Sequence, residues 1–157
     1  MTIEYERKYV VAADGWQHLI ESSIEITQGY IASDANAEIR VRQHEGGSVV
    51  TIKSLQAVDE IGRLEYEYAV PESDASEMLE HLATNLLRKT RFVLAYGPGR
   101  WTIDLFHGEN SGLILLEVES DNSFTLEKLP TWVQAETTHD PRYKNSYLAK
   151  NPYTTWS

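Results

Sequence analysis

Charged side chains recur at every second position along one segment of the chain after another. Successive side chains of a β-strand point to opposite faces, so residues of the same parity share a face. In residues 3–11 one face would carry Glu4, Glu6 and Lys8. A single strand of this kind is typical of a solvated sheet edge, but the pattern returns along nearly the whole chain. It therefore predicts a sheet with one charged face and one mainly apolar face.

Parity sorts the remaining strand-like segments in the same way. The charged face carries Glu4, Glu6, Lys8, Arg40, Arg42, Thr51, Lys53, Glu65, Glu67, Lys89, Arg91, Asp104, Glu117 and Glu119. The apolar face carries Ile39, Val41, Val50, Ile52, Leu64, Tyr66, Tyr68, Phe92, Leu94, Ile103, Leu105, Ile114, Leu116 and Val118. Parity assigns each residue to a face, but it does not decide which face points inward.

Turn residues divide the chain into about eight such segments with few long connections. The predicted strands are residues 3–11, 25–32, 37–43, 49–53, 64–70, 90–95, 101–106 and 113–119. Leucines at helical spacing predict a helix from Ser73 to Arg88, and shorter helices are predicted at residues 14–20, 124–133 and 143–150. This order predicts an α+β protein built on a closed eight-stranded antiparallel β-barrel. We expect a single domain covering residues 1–157.

Two barrels fit this pattern. In an ordinary barrel the apolar face fills the inside and the charges lie in water. In an inverted barrel the charges line the lumen, and helices cover the apolar outer face. The predicted helices favour the inverted barrel, because their apolar stripes must be buried and a charged outer surface would give them nothing to pack on.

The composition excludes several classes of protein. The net charge of −10 argues against an extended nucleic-acid or anionic-membrane surface. The sequence contains no cysteine, so disulfides, thiolate metal sites and cysteine nucleophiles are absent. No apolar run is long enough for a membrane span, and the first residues are too charged for a signal peptide. We therefore expect a cytoplasmic protein without nucleic-acid or membrane partners.

A charged lumen has a specific chemical use. Arginines bind phosphate oxygens in bidentate fashion, and lysines act as point charges. Carboxylates in the same lumen would repel such an anion unless a divalent cation lay between them. Mg²⁺ or Mn²⁺ suits oxygen ligands best. The pattern thus indicates a site for a small, highly charged phosphate compound together with metal.

The ordered set of charged motifs resembles the CYTH superfamily of triphosphate tunnel metalloenzymes, and most closely its short bacterial members. The matching motifs are Glu4-x-Glu6-x-Lys8, Arg40-x-Arg42, Lys53, Glu65-x-Glu67, Lys89-x-Arg91, Asp104, Glu117-x-Glu119 and the carboxyl-terminal run from Asp140 to Leu148. The resemblance covers essentially the whole chain. It implies the inverted barrel, with a triphosphate held in the lumen by basic groups and divalent metal held by acidic ones.

The resemblance also implies a role for each residue. The Glu4, Glu6 and Lys8 motif is assigned to catalysis. The expected substrate-binding residues are Lys8, Arg40, Arg42, Lys53, Lys89 and Arg91, and the expected metal ligands are Glu4, Glu6, Asp104, Glu117 and Glu119. Glu65 and Glu67 match acidic positions whose role is either around the metal or in pairing with arginines.

We expect metal-dependent hydrolysis of a triphosphate, with inorganic tripolyphosphate as the substrate and two Mg²⁺ or Mn²⁺ ions in the site. Other activities in the same family are adenylate cyclase and nucleoside or thiamine triphosphatase. A non-enzymatic polyphosphate-binding module would need the basic groups alone, whereas this chain carries both sets. The sequence leaves the oligomeric state open, with a homodimer as one option.

Overall fold

The computed structural model describes residues 2–59, 61–121 and 128–157. In these ranges the strands are β1 (Thr2–Val11), β2 (Ile20–Ser33), β3 (Ala37–His44), β4 (Gly47–Ser54), β5 (Gly62–Val70), β6 (Leu86–Leu94), β7 (Arg100–Phe106), β8 (Ile114–Ser120) and β9 (Val133–Glu136). The α-helices are α1 (Glu72–His81) and α2 (Asn145–Lys150). Short 3₁₀ turns lie at Gln17–Leu19, Gly108–Asn110, Pro141–Tyr143 and Tyr153–Thr155. None of the helices in these ranges has the length and hydropathy that crossing a membrane would need.

The first strand closes the sheet into a barrel. β1 pairs in antiparallel fashion with β5 along one edge and with β8 along the other. The strand order β5-β4-β3-β2-β6-β7-β8-β1 therefore returns to its start, and β9 adds to β1 outside the ring. This confirms the predicted closed antiparallel barrel of eight strands, with one strand more than the sequence predicted.

The barrel wall has a gap in strand pairing where β1 separates from β5, and we call this gap the seam. Residues 2–5 of β1 pair with β5, whereas Tyr9 and Val11 pair with β9 on the same side of the strand. Between these two stretches, the amide of Thr137 donates to the Lys8 carbonyl at 2.8 Å, and the Lys8 amide donates to Thr138 Oγ1 at 3.0 Å. The chain after β9 thus covers the seam, and residues 137–145 are called the seam segment below.

The charged face points inward, which decides between the two barrels. On the outside, a core cluster forms over β1, β6, β7 and β8, where Trp16 and Trp132 from connecting segments pack with Trp101, Ile103 and Leu116. Burial of these large side chains gives the outer face its stability. The inverted barrel is confirmed, although loops bearing tryptophans cover this side rather than the helices that the sequence predicted.

Helix α1 covers a different part of the outer face, over β2, β3 and β4. Gly29 of β2 permits the close approach of the helix and of the turn after it, because a Cβ atom at this position would lie 3.1 Å from Leu79 Cδ2 and 2.6 Å from Ala83 Cβ. Gln43 of β3 donates to Ser76 of the helix at 2.9 Å. The outer face of β4 and β5 stays open in the described structure, with Ile52, Tyr66 and Tyr68 exposed.

One end of the lumen is filled with apolar side chains. They are Leu87, Phe106 and Leu115, which have the same parity as Lys89, Asp104 and Glu117 on their strands, together with Leu113 and Leu148 of the adjoining segments. Val10 packs against them from β1. We call this cluster the apolar base. The lumen is therefore charged along most of its length and closed at this end.

Three helix predictions differ from the structure. The helix predicted for residues 14–20 is only the 3₁₀ turn Gln17–Leu19, because Ile20 already begins β2. The helix predicted to reach Arg88 ends at His81, because the main chain of Thr84 and Asn85 pairs with Tyr30 and begins the approach to β6. The helix predicted for residues 124–133 falls partly outside the described residues, and its last residue begins β9 instead. The helix predicted for residues 143–150 is confirmed as α2, preceded by a 3₁₀ turn.

Candidate active site

The charged cavity inside the barrel contains nearly every residue that the sequence assigned to the site. Its wall includes Glu4, Glu6, Lys8, Arg40, Arg42, Lys53, Glu65, Glu67, Arg91, Glu117 and Glu119. Lys89 and Asp104 lie behind this wall and are fully buried. Strand register produces the arrangement, since Glu6 lies opposite Glu119, and Lys8 opposite Glu117. Residues far apart in the chain are thus brought together by pairing between strands.

Three carboxylates form a compact cluster. One oxygen each from Glu4, Glu6 and Glu119 lies within 4.8 Å of the others. Burial, followed by the nearby Glu117 carboxylate, raises the pKa of Glu6 to about 7. Burial, followed by Glu6, also raises the pKa of Glu119. These oxygens are hard donors packed close enough to repel one another, which fits a divalent cation as their ligand.

A second group of acids is already neutralised by basic side chains. Asp104 accepts hydrogen bonds from Lys89 Nζ at 2.7 Å and from Arg91 Nε and Nη2 at 2.7 and 2.8 Å. Arg91 Nη2 also donates to Glu117 at 2.9 Å. Burial by itself would raise the pKa of Asp104, but Arg91 and then Lys89 outweigh it and lower the pKa below its usual value. We call these four residues the buried ion network. Their predicted roles in binding metal and substrate remain predictions.

The lysines of β1 and β4 connect the two groups of acids. Lys53 Nζ lies 3.1 Å from Glu4 and 3.9 Å from Glu65. Lys8 Nζ lies 3.6 Å from both Glu6 and Glu117. Burial would lower the pKa of Lys8, but the Glu6 and Glu117 carboxylates outweigh it and raise the pKa. Lys8 therefore stays charged beside the carboxylate cluster.

Two arginines of β3 have no carboxylate partner. In the described residues no carboxylate oxygen lies within 4.0 Å of the Arg40 or Arg42 guanidinium, and Arg40 Nε is buried without a hydrogen-bond acceptor. Burial, and then the charges of Arg40 and Arg91, lower the pKa of Arg42 to about 9. This wall of the cavity therefore carries excess positive charge. An anion with several oxygens would satisfy it.

Sequence reasoning missed part of the cavity wall. Additional lining residues are Tyr30, Glu38, Arg63, Arg100, Lys144 and Asn145. Tyr30 belongs to β2, where it accepts a 2.8 Å hydrogen bond from Gln28, whose Oε1 accepts one from Arg42 at 3.2 Å. The alternation of Gln28 and Tyr30 was a usable signal on β2, but neutral residues do not stand out in a charge pattern. Lys144 and Asn145 precede or begin a helix, so no strand parity indicates them.

Comparison with protein families gives one match over most of the chain. The model of the CYTH domain matches residues 2–129. A curated relative, an inorganic triphosphatase from Acetivibrio thermocellus, is 38% identical over 151 residues, which cover 96% of this chain and 95% of the relative.

Solved structures agree with this match. The crystal structure of the inorganic triphosphatase NE1496 has a TM-score of 0.65 and 30% sequence identity, with 95% of each chain covered. An adenylyl cyclase candidate from Hippeastrum, described with a dominant triphosphatase activity, has a TM-score of 0.56 and 12% identity, with 76% of this chain and 80% of that chain covered. At this identity the second likeness shows the fold alone.

Proposed function

Because the chain belongs to the CYTH domain family, we propose that it is a divalent-metal-dependent triphosphatase that hydrolyses inorganic tripolyphosphate to pyrophosphate and phosphate. The observation that supports this proposal is that one cavity contains both guanidinium groups without an ion pair and a cluster of crowded carboxylates. Among the residues that the structure describes, neither Arg40 nor Arg42 makes an ion pair, while Glu4, Glu6 and Glu119 crowd together in the same cavity. A polyphosphate and a divalent cation satisfy both groups at once. The names of the relatives support the same activity.

The basic residues would hold the substrate. Arg40, Arg42 and Arg91 supply planar guanidinium groups to the non-bridging oxygens, and Lys8 and Lys53 supply point charges beside the acidic cluster. Positioning and charge stabilisation provide most of what phosphoryl transfer needs. Lys89 would act at the same anion from behind the wall. Glu65, 3.9 Å from Lys53, would balance the charge of that lysine, and Glu67 accepts a 2.9 Å hydrogen bond from the Thr51 hydroxyl.

Glu4, Glu6 and Glu119 would hold the metal, and we propose Mg²⁺ or Mn²⁺ in two copies, with Glu117 and Asp104 as the further acidic candidates. A bound divalent ion neutralises charge on phosphate oxygens and lowers the pKa of a coordinated water. The carboxylates fix where that charge is placed, and Lys8, between Glu6 and Glu117, keeps the phosphate beside it. The attacking group is water. The oligomeric state stays open, and a cytoplasmic location and a single domain over residues 1–157 stay predictions.

Product analysis distinguishes this activity from the related ones. With Mg²⁺ or Mn²⁺, we expect tripolyphosphate to be hydrolysed faster than ATP, and we expect ATP to give no cyclic AMP, because the cavity wall is dominated by charged groups that suit a bare polyanion. Orthophosphate, pyrophosphate and cyclic AMP should each be measured. Cyclic AMP formed with stoichiometric pyrophosphate would make the protein a cyclase. A preference for ATP would make it a nucleoside triphosphatase.

Replacement of Arg40 tests the anion site separately. Arg40→Ala is expected to weaken tripolyphosphate binding by about 1.5–3 kcal/mol, the usual contribution of a hydrogen bond to a charged group. The fold should persist with only a small loss in the free energy of unfolding, because Arg40 makes no ion pair in the described structure and the attraction of Tyr30, Glu38 and Glu4 that raises its pKa acts against the cost of burying it. Isothermal titration calorimetry and urea denaturation measure the two quantities. Arg88→Ala is the matched control, since this arginine is exposed on the outer face of β6, away from the lumen. Unchanged affinity in Arg40→Ala would contradict the assignment.

A further inference from the structure

The seam segment brings polar side chains into the charged cavity from beyond the stretch that the CYTH domain model matches. The family match ends at residue 129, whereas residues 137–140, Lys144 and Asn145 all line the cavity. The segment is held there by the main-chain hydrogen bond from Thr137 to Lys8. Part of the wall around the anion site therefore comes from a stretch to which the family motifs assign no role.

Asn145 has the most specific contact in this segment. Its side chain is 92% buried, with 8% relative exposure, and its Oδ1 lies 3.3 Å from Lys89 Nζ. An ammonium group can only donate hydrogen bonds, so the amide oxygen must face Lys89. The other acceptor of Lys89 is Asp104, at 2.7 Å. Asn145 thus connects a fully buried lysine of the ion network to the cavity, which Lys89 itself does not line.

The amide nitrogen of Asn145 is left on the cavity side of this contact. In the described part of the chain Nδ2 has no hydrogen-bond acceptor, and it is not among the fully enclosed polar atoms that lack a partner. An atom in this position is open to the cavity. Hydrogen bonding from the Lys89 ammonium to Oδ1 polarises the amide and makes its N–H groups better donors.

We propose that Asn145 is a substrate-binding residue that also positions Lys89. Its Oδ1 holds the Lys89 ammonium at the wall, and its Nδ2 donates to a non-bridging oxygen of the triphosphate. The neutral amide thereby links the buried lysine to the anion. The inference rests on the proposed function for the identity of the anion, and it gives a role to a residue of the carboxyl-terminal motif, to which the sequence assigned none.

Two substitutions separate the two roles. Asn145→Asp keeps an acceptor for Lys89 but replaces the donor with a negative charge in the cavity, while Asn145→Leu removes both groups at similar volume. Gln134→Glu is the matched control, because it makes the same amide-to-carboxylate change at an exposed position of β9 outside the cavity. The probe is tripolyphosphate, with affinity measured by calorimetry in EDTA, kcat and KM measured with Mg²⁺, and the melting temperature measured without ligand.

We expect Asn145→Asp to raise both the Kd and the KM for tripolyphosphate by about tenfold or more, because a hydrogen bond to the anion is replaced by repulsion. Its melting temperature should stay near that of the wild type, since Lys89 keeps its partner. A wild-type Kd in Asn145→Asp, or absence of tripolyphosphate binding by the wild type, would overturn the proposal. Binding that is weakened in Asn145→Asp but without hydrolysis by the wild type would refute the proposed activity and leave the assignment of Asn145 standing.

Discussion

Asp104→Ala is expected to lower the free energy of unfolding by about 3–5 kcal/mol, the usual cost of removing one partner from a buried ion pair. Asp104 is fully buried and neutralises both Lys89 and Arg91 at 2.7–2.8 Å. Without it, two cations would face each other in the interior with only Glu117 and the Asn145 amide nearby. Urea denaturation monitored by tryptophan fluorescence measures the change, since Trp101 neighbours Asp104 on β7.

The experiment should be done in EDTA, so that metal binding does not contribute to stability. Asp14→Ala serves as the control because Asp14 is exposed and makes no hydrogen bond in the described structure. A loss below about 1 kcal/mol in Asp104→Ala, the range of exposed ion pairs, would show that the buried ion network is not a stabilising unit. Asp104 would then be left with the metal-binding role that the family motif implies.

Glu6→Gln is expected to lower kcat/KM for tripolyphosphate by about 100-fold, or roughly 2.7 kcal/mol. Even groups that only orient metal ligands change affinity or activity by about 10- to 100-fold, and Glu6 lies in the carboxylate cluster itself. The amide keeps the shape of the side chain but removes its charge. Steady-state assays over a range of Mg²⁺ and Mn²⁺ concentrations should show that excess metal restores part of the lost activity.

The same variant should be at least as stable as the wild type in EDTA. The folded pKa of Glu6 is about 7, above its ordinary value of 4.5, because of burial and then Glu117. A raised carboxyl pKa means that folding is opposed once the group ionises, so wild-type stability falls as pH rises from about 4.5 through 7. Glu6→Gln removes the part of this decrease in stability that is due to the ionisation of Glu6. Glu45→Gln, an exposed turn position, is the control, and a wild-type rate in Glu6→Gln would refute the metal assignment.

The parity of charged residues was enough to predict which side chains share one face of the sheet, while the inward direction of that face came from the predicted helices and the family resemblance. Strand geometry is periodic, so Arg40 and Arg42, or Glu117 and Glu119, must share a face wherever the strand lies. Parity does not predict which carboxylates come close together. Their proximity depends on the register between β1 and β8, which is set by the pairing of strands distant in the sequence. The sequence therefore assigned the same metal-binding role to Asp104 and Glu119. The structure places Asp104 in the buried ion network and Glu119 in the carboxylate cluster.

The sequence pattern gave a wrong prediction where a helix and the following strand together produce the apolar spacing of a single helix. Leu79, Leu82 and Leu86 fit a single helical stripe, yet Leu86 lies on β6 and meets the same outer surface near Gly29 as Leu79 does. Apolar spacing alone cannot separate a helix that continues from a strand that returns to the same patch. The seam segment was missed for a related reason, since Asn145 reaches the cavity only because β1 parts from β5.

The apolar base has a consequence for the order of events after bond cleavage. With Leu87, Phe106 and Leu115 filling the lumen at that end of the described structure, substrate would enter and products would leave from the opposite end, where Glu4 of β1 pairs with Arg63 of β5. The fragment nearer this opposite end must leave first, and the deeper one waits behind it. The order of product release is then set by the position of each product in the lumen rather than by its affinity. The deeper product is the one that should compete with incoming substrate.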